Sequence, residues 1–173
     1  MCEDLFWICF FVAGGDIFEK ELLVDGRRIQ LNFVDTAGQA DVKSLIRSIY
    51  RNANGIMVVF DITNQKSFDT VGEWMERVTQ EIEPQPHVIL VGNKQDLTAH
   101  REIPIGQARA KADFYSTPYY DVSAKTGDNV KEAFETFIRE TWRNIQPNSD
   151  AGFERSIHIE ETDGENKERC CTS

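Results

Sequence analysis

Positive charge is scarce in this chain. Against 29 Asp and Glu stand 19 Lys and Arg, a formal net charge of −10, so phosphate backbones and anionic headgroups are repelled and nucleic acid is not expected as a partner. Cysteine is nearly confined to the ends, with Cys2 and Cys9 near the start and Cys170 and Cys171 adjacent at the finish. That distribution builds no disulfide framework and suits a reducing, cytosolic compartment. Long apolar runs are also lacking. The run from Leu5 to Ala13 is too short to span a bilayer, and Glu3 and Asp4 give it a negative flank where a signal peptide carries a positive one. No internal repeat or low-complexity segment is present. What remains, in 173 residues, is room for one domain with its own core and a tail.

The pattern inside that domain alternates. Leu22-Leu23-Val24, a turn at Asp25-Gly26, and Ile29, Leu31 and Phe33 spaced by polar residues read as a hairpin. Ile56 to Ile62 and His87 to Val91 are nearly continuous apolar runs, as in parallel strands buried on both faces. Helical spacing marks Ser67 to Glu81 through Phe68, Val71, Trp74-Met75 and Val78, and marks a second helix from Ile105 to Phe114. A short strand is expected at Tyr119 to Val122. A last helix follows, capped at Asp128-Asn129, with Val130, Phe134, Phe137, Ile138 and Ile145 on one stripe. The whole reads as an α/β fold with a mainly parallel sheet flanked by helices. From Gln146 onward periodicity stops and acids outnumber bases, the pattern of a flexible tail.

Three short runs carry chemistry: Asp35-Thr36-Ala37-Gly38-Gln39, Asn93-Lys94-Gln95-Asp96 and Ser123-Ala124-Lys125. Each follows a predicted strand, where open α/β sheets bind ligands, so distant motifs converge on one crevice. An ionised Asp96 accepts two hydrogen bonds from the N1–H and exocyclic amine of guanine, a donor pair that adenine lacks. Asn93 can take the other edge of the base or tie loops together, and the stem of Lys94 can cover the ring. Ser123-Ala124-Lys125 supplies a backbone N–H near the guanine oxygen. On the phosphate side Asp35 suits Mg²⁺, Gly38 lets a backbone N–H approach a terminal phosphate, and Gln39 can orient a water.

One part of such a site is missing. The glycines ahead of Asp35 are Gly14, Gly15 and Gly26, and none opens a Gly-x-x-x-x-Gly-Lys-Ser/Thr run. Charge-assisted phosphate contacts stabilise by about 1.5–3 kcal/mol each, so lacking a Lys and several backbone donors removes on the order of 5–10 kcal/mol. A nanomolar site would fall to micromolar or millimolar affinity. The apolar run Phe6 to Val12 has the composition of a central strand. Too few residues separate it from Leu22 for a parallel crossover, which predicts that it pairs differently, covers an exposed face or stays loose.

From about Glu19 to Ile145 the chain resembles the Rab branch of the Ras-like small GTPases, through DTAGQ, GIMVVFDITNQKSFDTVGEW, VGNKQDL and VSAKTGDNVKEAF in that order. The resemblance implies an incomplete P-loop NTPase fold over 19–145, after an atypical apolar segment at 1–18 and before a tail at 146–173, in an N-terminally shortened form. It implies a GTP/GDP switch of vesicle transport, or alternatively a prenylated binding module without catalysis. GTP/GDP and Mg²⁺ are the implied cofactors, weakly bound or absent in a shortened form. The implied roles are metal side for Asp35, γ-phosphate sensing for Gly38, water positioning for Gln39, and base recognition for Asn93, Lys94, Asp96, Ser123, Ala124 and Lys125. Cys170-Cys171-Thr172-Ser173 resembles the double-cysteine terminus that carries two geranylgeranyl groups, two lipids being what stable anchoring takes. The implied location is cytoplasmic, peripheral on the cytosolic face of intracellular membranes. The implied partners are escort and prenylation proteins, a GDP-dissociation inhibitor, exchange and activating proteins, and effectors. Ala40-Asp41-Val42 departs from the usual Glu-Arg-aromatic that follows Gln39.

Overall fold

The computed structural model describes residues 4–11, 17–24, 27–35, 53–145 and 160–161. Their elements are β1 (Asp4–Phe11), β2 (Ile17–Val24), β3 (Arg27–Asp35), β4 (Gly55–Asp61), α1 (Gln65–Asp69), α2 (Val71–Glu81), β5 (His87–Asn93), α3 (Ile105–Phe114), β6 (Tyr119–Asp121), α4 (Val130–Ile145) and β7 (Glu160–Glu161), with a 3₁₀ turn at Gln95–His100. The strands form one sheet in the order β6-β5-β4-β1-β3-β2-β7. β6, β5, β4, β1 and β3 run parallel, and β2 is antiparallel to β3. The mainly parallel α/β sheet expected from the alternation is therefore present.

The run at Phe6 corrects the crossover argument. β1 takes the central place, parallel to β3 from Asp4↔Ile29 to Phe10↔Asp35 and to β4 from Ile8↔Gly55 to Phe11↔Val58. No parallel crossover is needed, because the next strand in sequence is β2, antiparallel and one position beyond β3. β1 therefore ends and β2 begins at the same end of the sheet, one strand apart.

Both faces of β4 and β5 are buried, which explains their nearly unbroken apolar composition. On one face Ile56, Val58, Phe60 and Leu90 pack with Phe68 of α1, Val71, Met75 and Val78 of α2, and Ala108 and Ala112 of α3. On the other, Met57, Ile89 and Val91 meet Ala133, Phe137, Ile138 and Trp142 of α4, and this layer continues to Leu22, Ile29 and Leu31 of the hairpin. Burying each of Phe60, Phe68 and Phe137 contributes roughly 1.5–3 kcal/mol. Gly55 lets α4 approach β4, since a Cβ there would lie 2.6 Å from Phe137 Cζ.

Details of the expected elements differ in three places. The expected 67–81 helix is two, α1 and α2, parted at Thr70; Asn64 caps the first through its side chain, which accepts from the Ser67 N–H. Ile145, assigned to the apolar stripe of α4, is the last residue of the helix and 41% exposed. β2 starts at Ile17 rather than Leu22. The Asp25-Gly26 turn lies outside the described residues, as does the tail apart from Glu160–Glu161, which pair with Leu23 and Leu22 of β2.

Candidate functional site

The carboxyl ends of β4, β5 and β6 lie side by side, so the turns that follow share one rim of the sheet. β5 ends at Asn93, and Lys94 then takes the left-handed conformation with φ 70°. That sharp turn brings the Lys94 N–H back to Asn93 Oδ1 at 2.7 Å, and the same oxygen accepts from the Ala124 N–H at 3.0 Å. Asn93 thus ties the two loops together. The Ala124 N–H is engaged in doing so, which leaves the Lys125 N–H as the donor of that turn without a partner among the described residues.

Ser123 holds the second tie. It is fully buried, donates its hydroxyl to Asp96 Oδ1 at 2.6 Å and accepts from the Thr126 N–H at 3.2 Å. Backbone bonds lock the same corner: the Gln95 N–H donates to Val122 O at 2.9 Å, the Ser123 N–H to Asp128 O at 3.0 Å and the Gly127 N–H to Ser123 O at 2.8 Å. Gly127 has φ +84°, which only glycine adopts without strain. Asp96 is half-buried, and of about four acceptor positions on its carboxylate Ser123 uses one.

Lys94 is anchored by a residue that sequence reasoning passed over. Its Nζ lies 2.6 Å from Oδ2 of Asp61, the last residue of β4, while Asp61 Oδ1 accepts from the Thr63 N–H at 2.8 Å and the Thr63 hydroxyl at 2.7 Å. Burial pushes the Asp61 carboxyl up, but the bonds from Lys94 and Thr63 outweigh it and hold it below the ordinary carboxylate value. The signal for Asp61 was available, because a charge ending an apolar parallel strand sits on the ligand-binding rim.

Asn129 was expected to help cap α4. It instead has φ 57°, and its amide donates to Asp121 O at 3.0 Å and Gln95 Oε1 at 3.3 Å, fastening the helix start to the β5 and β6 ends. Asp121 is braced in turn by the Tyr119 hydroxyl at 2.6 Å and Arg101 Nη2 at 3.1 Å. Burial, reinforced by the bond to Asp121, drives the Tyr119 phenol far above its ordinary value.

The phosphate-side residues are less completely described. Asp35 is the last residue of β3, on the same rim, two strands from β4, and its side chain is outside the described set. Gly38, Gln39, Ala40-Asp41-Val42, Cys170 and Cys171 lie outside the described residues. Among the described residues no three His, Cys, Asp or Glu side chains group as a metal site, and no helix is long and apolar enough to cross a membrane.

Comparison with known proteins bears on the same stretch of chain. The Ras family matches residues 11–143. Ras-related protein RabZ of Dictyostelium discoideum is 39% identical over 136 residues, covering 77% of this chain and 59% of RabZ. The GTP-binding protein ypt2 of Schizosaccharomyces pombe is 34% identical over 180 residues, covering 98% of this chain and 85% of ypt2. The chain therefore spans just under three fifths of one of these curated relatives and most of the other.

Proposed function

Because this chain belongs to the Ras family and is similar to Rab and Ypt proteins, we propose that it is a Rab-like small GTPase, a guanine-nucleotide switch in vesicle-mediated transport. The observation that carries this reading is the rim corner in which buried Ser123 orients Asp96 and Asn93 holds the Ala124 turn. Those residues fit guanine. Asp96 keeps acceptor positions for the N1–H and the amine, the Lys125 N–H is open for the guanine oxygen, and Lys94 sits at the rim with its charge balanced by Asp61. Asp35, Gly38 and Gln39 are the proposed metal, γ-phosphate and water-positioning residues. Mg²⁺, when bound, would neutralise phosphate charge.

A second reading, a prenylated binding module that does not cycle nucleotide, is favoured by one observation: the residues proposed for the base come together at one rim while no Gly-x-x-x-x-Gly-Lys-Ser/Thr run occurs in these 173 residues. In either reading Cys170 and Cys171 are the proposed lipid acceptors. Escort, exchange, activating and effector proteins are the proposed partners, and the cytosolic face of an intracellular membrane is the proposed location. Calorimetry of the 173-residue polypeptide with GDP, ADP and Mg²⁺ tests the assignment. Weak, guanine-selective binding that depends little on Mg²⁺ is expected. Equal affinity for ADP would sink the base-recognition assignment, and nanomolar GDP binding lost on adding EDTA would show a phosphate cradle supplied by other residues.

A further inference from the structure

The two carboxylate oxygens of Asp61 serve different ends. Oδ1 accepts from the Thr63 N–H at 2.8 Å and the Thr63 hydroxyl at 2.7 Å, which closes the turn after β4. Oδ2 takes no part in that turn and lies 2.6 Å from Lys94 Nζ. The residue is also fixed through its backbone, since its N–H donates to Ser67 Oγ at 3.0 Å and its carbonyl accepts from the Asn64 N–H at 3.0 Å. Lys94 is therefore held at both ends, its N–H by Asn93 Oδ1 at 2.7 Å and its ammonium by Asp61.

We infer that Asp61 is a positioning residue that sets the ligand class of this rim: by neutralising Lys94 it makes the stretch beside the base corner fit an uncharged sugar rather than a phosphate. This rests on the guanine reading above. Sheet order gives the placement. Asp96 and Ser123 follow β5 and β6, Asp61 ends the neighbouring β4, and β3 ends two strands further on. Strands are about 4.8 Å apart, so the Lys94–Asp61 pair sits roughly one spacing from the end of β5, and the end of β3 roughly three spacings or about 14 Å. With the base on Asp96 and the rest of the ligand running toward β3, the group next to the base is the one that meets the pair.

The chemistry of the pair suits a sugar. An ammonium and a carboxylate in contact present no net charge to a third group, and the bonds from Lys94 and Thr63 hold the Asp61 carboxyl below its ordinary value, so it is ionised at neutral pH. The Lys94 side chain is half exposed, and its ammonium has three donors, of which Asp61 takes one. The other two remain for hydroxyl or ether oxygens. A lysine without the carboxylate would instead act as a point charge for phosphate. The ligand class that follows is a guanine nucleoside, with its phosphates adding little affinity at this part of the rim.

NMR titration of the full 173-residue chain with guanosine, adenosine and GDP, without Mg²⁺, tests this. In the parent chain GDP and guanosine should bind within about tenfold of each other. Asp61→Asn keeps an acceptor for Thr63 but frees the Lys94 charge, and should raise the GDP-to-guanosine affinity ratio about tenfold or more, as one charge-assisted bond to phosphate implies. Lys94→Met keeps an apolar stem and bares the Asp61 carboxylate, so the ratio should fall below the parental one. Lys94 is half exposed, so this variant decides even where Asp61→Asn weakens the fold. A bridge that only holds the turn would weaken both ligands alike. A ratio unmoved by both substitutions or moved the same way by both, or a parental preference for GDP well above tenfold, would overturn the inference; guanosine bound over adenosine in the same titrations would leave the guanine reading standing. Equal binding of guanosine and adenosine, or binding of neither, would overturn that reading and the inference with it.

Discussion

Replacing Ser123 by Ala tests the corner proposed to recognise the base. The hydroxyl makes two bonds, one to Asp96 Oδ1 at 2.6 Å and one from the Thr126 N–H at 3.2 Å. A hydrogen bond to an ionised group contributes about 1.5–3 kcal/mol net. Thr126 is exposed, so water replaces the second bond and its loss adds little; Asp96 is half-buried and regains only part of its hydration. The expected loss of folding stability is therefore about 1.5–2 kcal/mol, or roughly 3–8 °C in Tm for a chain of this length. A double-mutant cycle of Ser123→Ala with Asp96→Ala should give a coupling of about 1–2 kcal/mol by denaturant unfolding. Affinity for guanine nucleotide should fall about tenfold or more in Ser123→Ala, because the freed carboxylate loses its orientation. A coupling under about 0.5 kcal/mol, with Tm unchanged, would refute the claim that this bond fixes Asp96.

Asp96→Asn should abolish discrimination between GDP and ADP in calorimetry, since an amide presents a donor where guanine presents one; retained selectivity would place base reading elsewhere. Gly55→Ala should destabilise by about 1–3 kcal/mol in denaturant unfolding, because the new Cβ meets Phe137 Cζ at 2.6 Å and Thr141 Oγ1 at 2.8 Å. His87 is held below its ordinary pKa by burial, partly countered by Glu140, so its folded form resists protonation. Its stabilising contribution is present above the unfolded pKa of about 6.5 and is lost as pH falls below it, so His87→Gln should flatten the decline in Tm between about pH 7 and 5. GTP turnover by the 173-residue polypeptide should sit at background and be unchanged by Gln39→Leu; a measurable parental rate that the variant loses would show a more complete phosphate site.

The parts of the fold that were legible in the sequence are those set by local pattern. Ile56 to Ile62 and His87 to Val91 are apolar because both faces of β4 and β5 are buried, and their composition alone announced it. The position of β1 was not legible, because sequence separation to Leu22 was taken as the quantity that matters. Sheet order decides instead, and an antiparallel β2 removes the crossover. The break at Thr70 was hidden because Phe68 and Val71 are both buried, continuing one apolar stripe across two helices.

At the site the same division holds. Asn93, Asp96 and Ser123 were candidates from the sequence because each belongs to a short run whose chemistry is local, and the structure brings their runs together. Asp61 and Asn129 were not, because their roles depend on pairing with residues 33 and 34 positions away, Lys94 and Gln95. Ties of this kind bear on the proposed function. Asn93 and Ser123, the residues read as base contacts, direct their described hydrogen bonds inward, to Ala124 and Asp96. They hold a carboxylate and a turn in place before any ligand arrives, so the loss of either should weaken guanine binding through misplacement of Asp96 or Lys125 rather than through a missing contact. That distinction is measurable: Asn93→Ala should raise hydrogen exchange across 123–127 in the ligand-free protein, and unchanged exchange there would mean that Asn93 acts on the base itself.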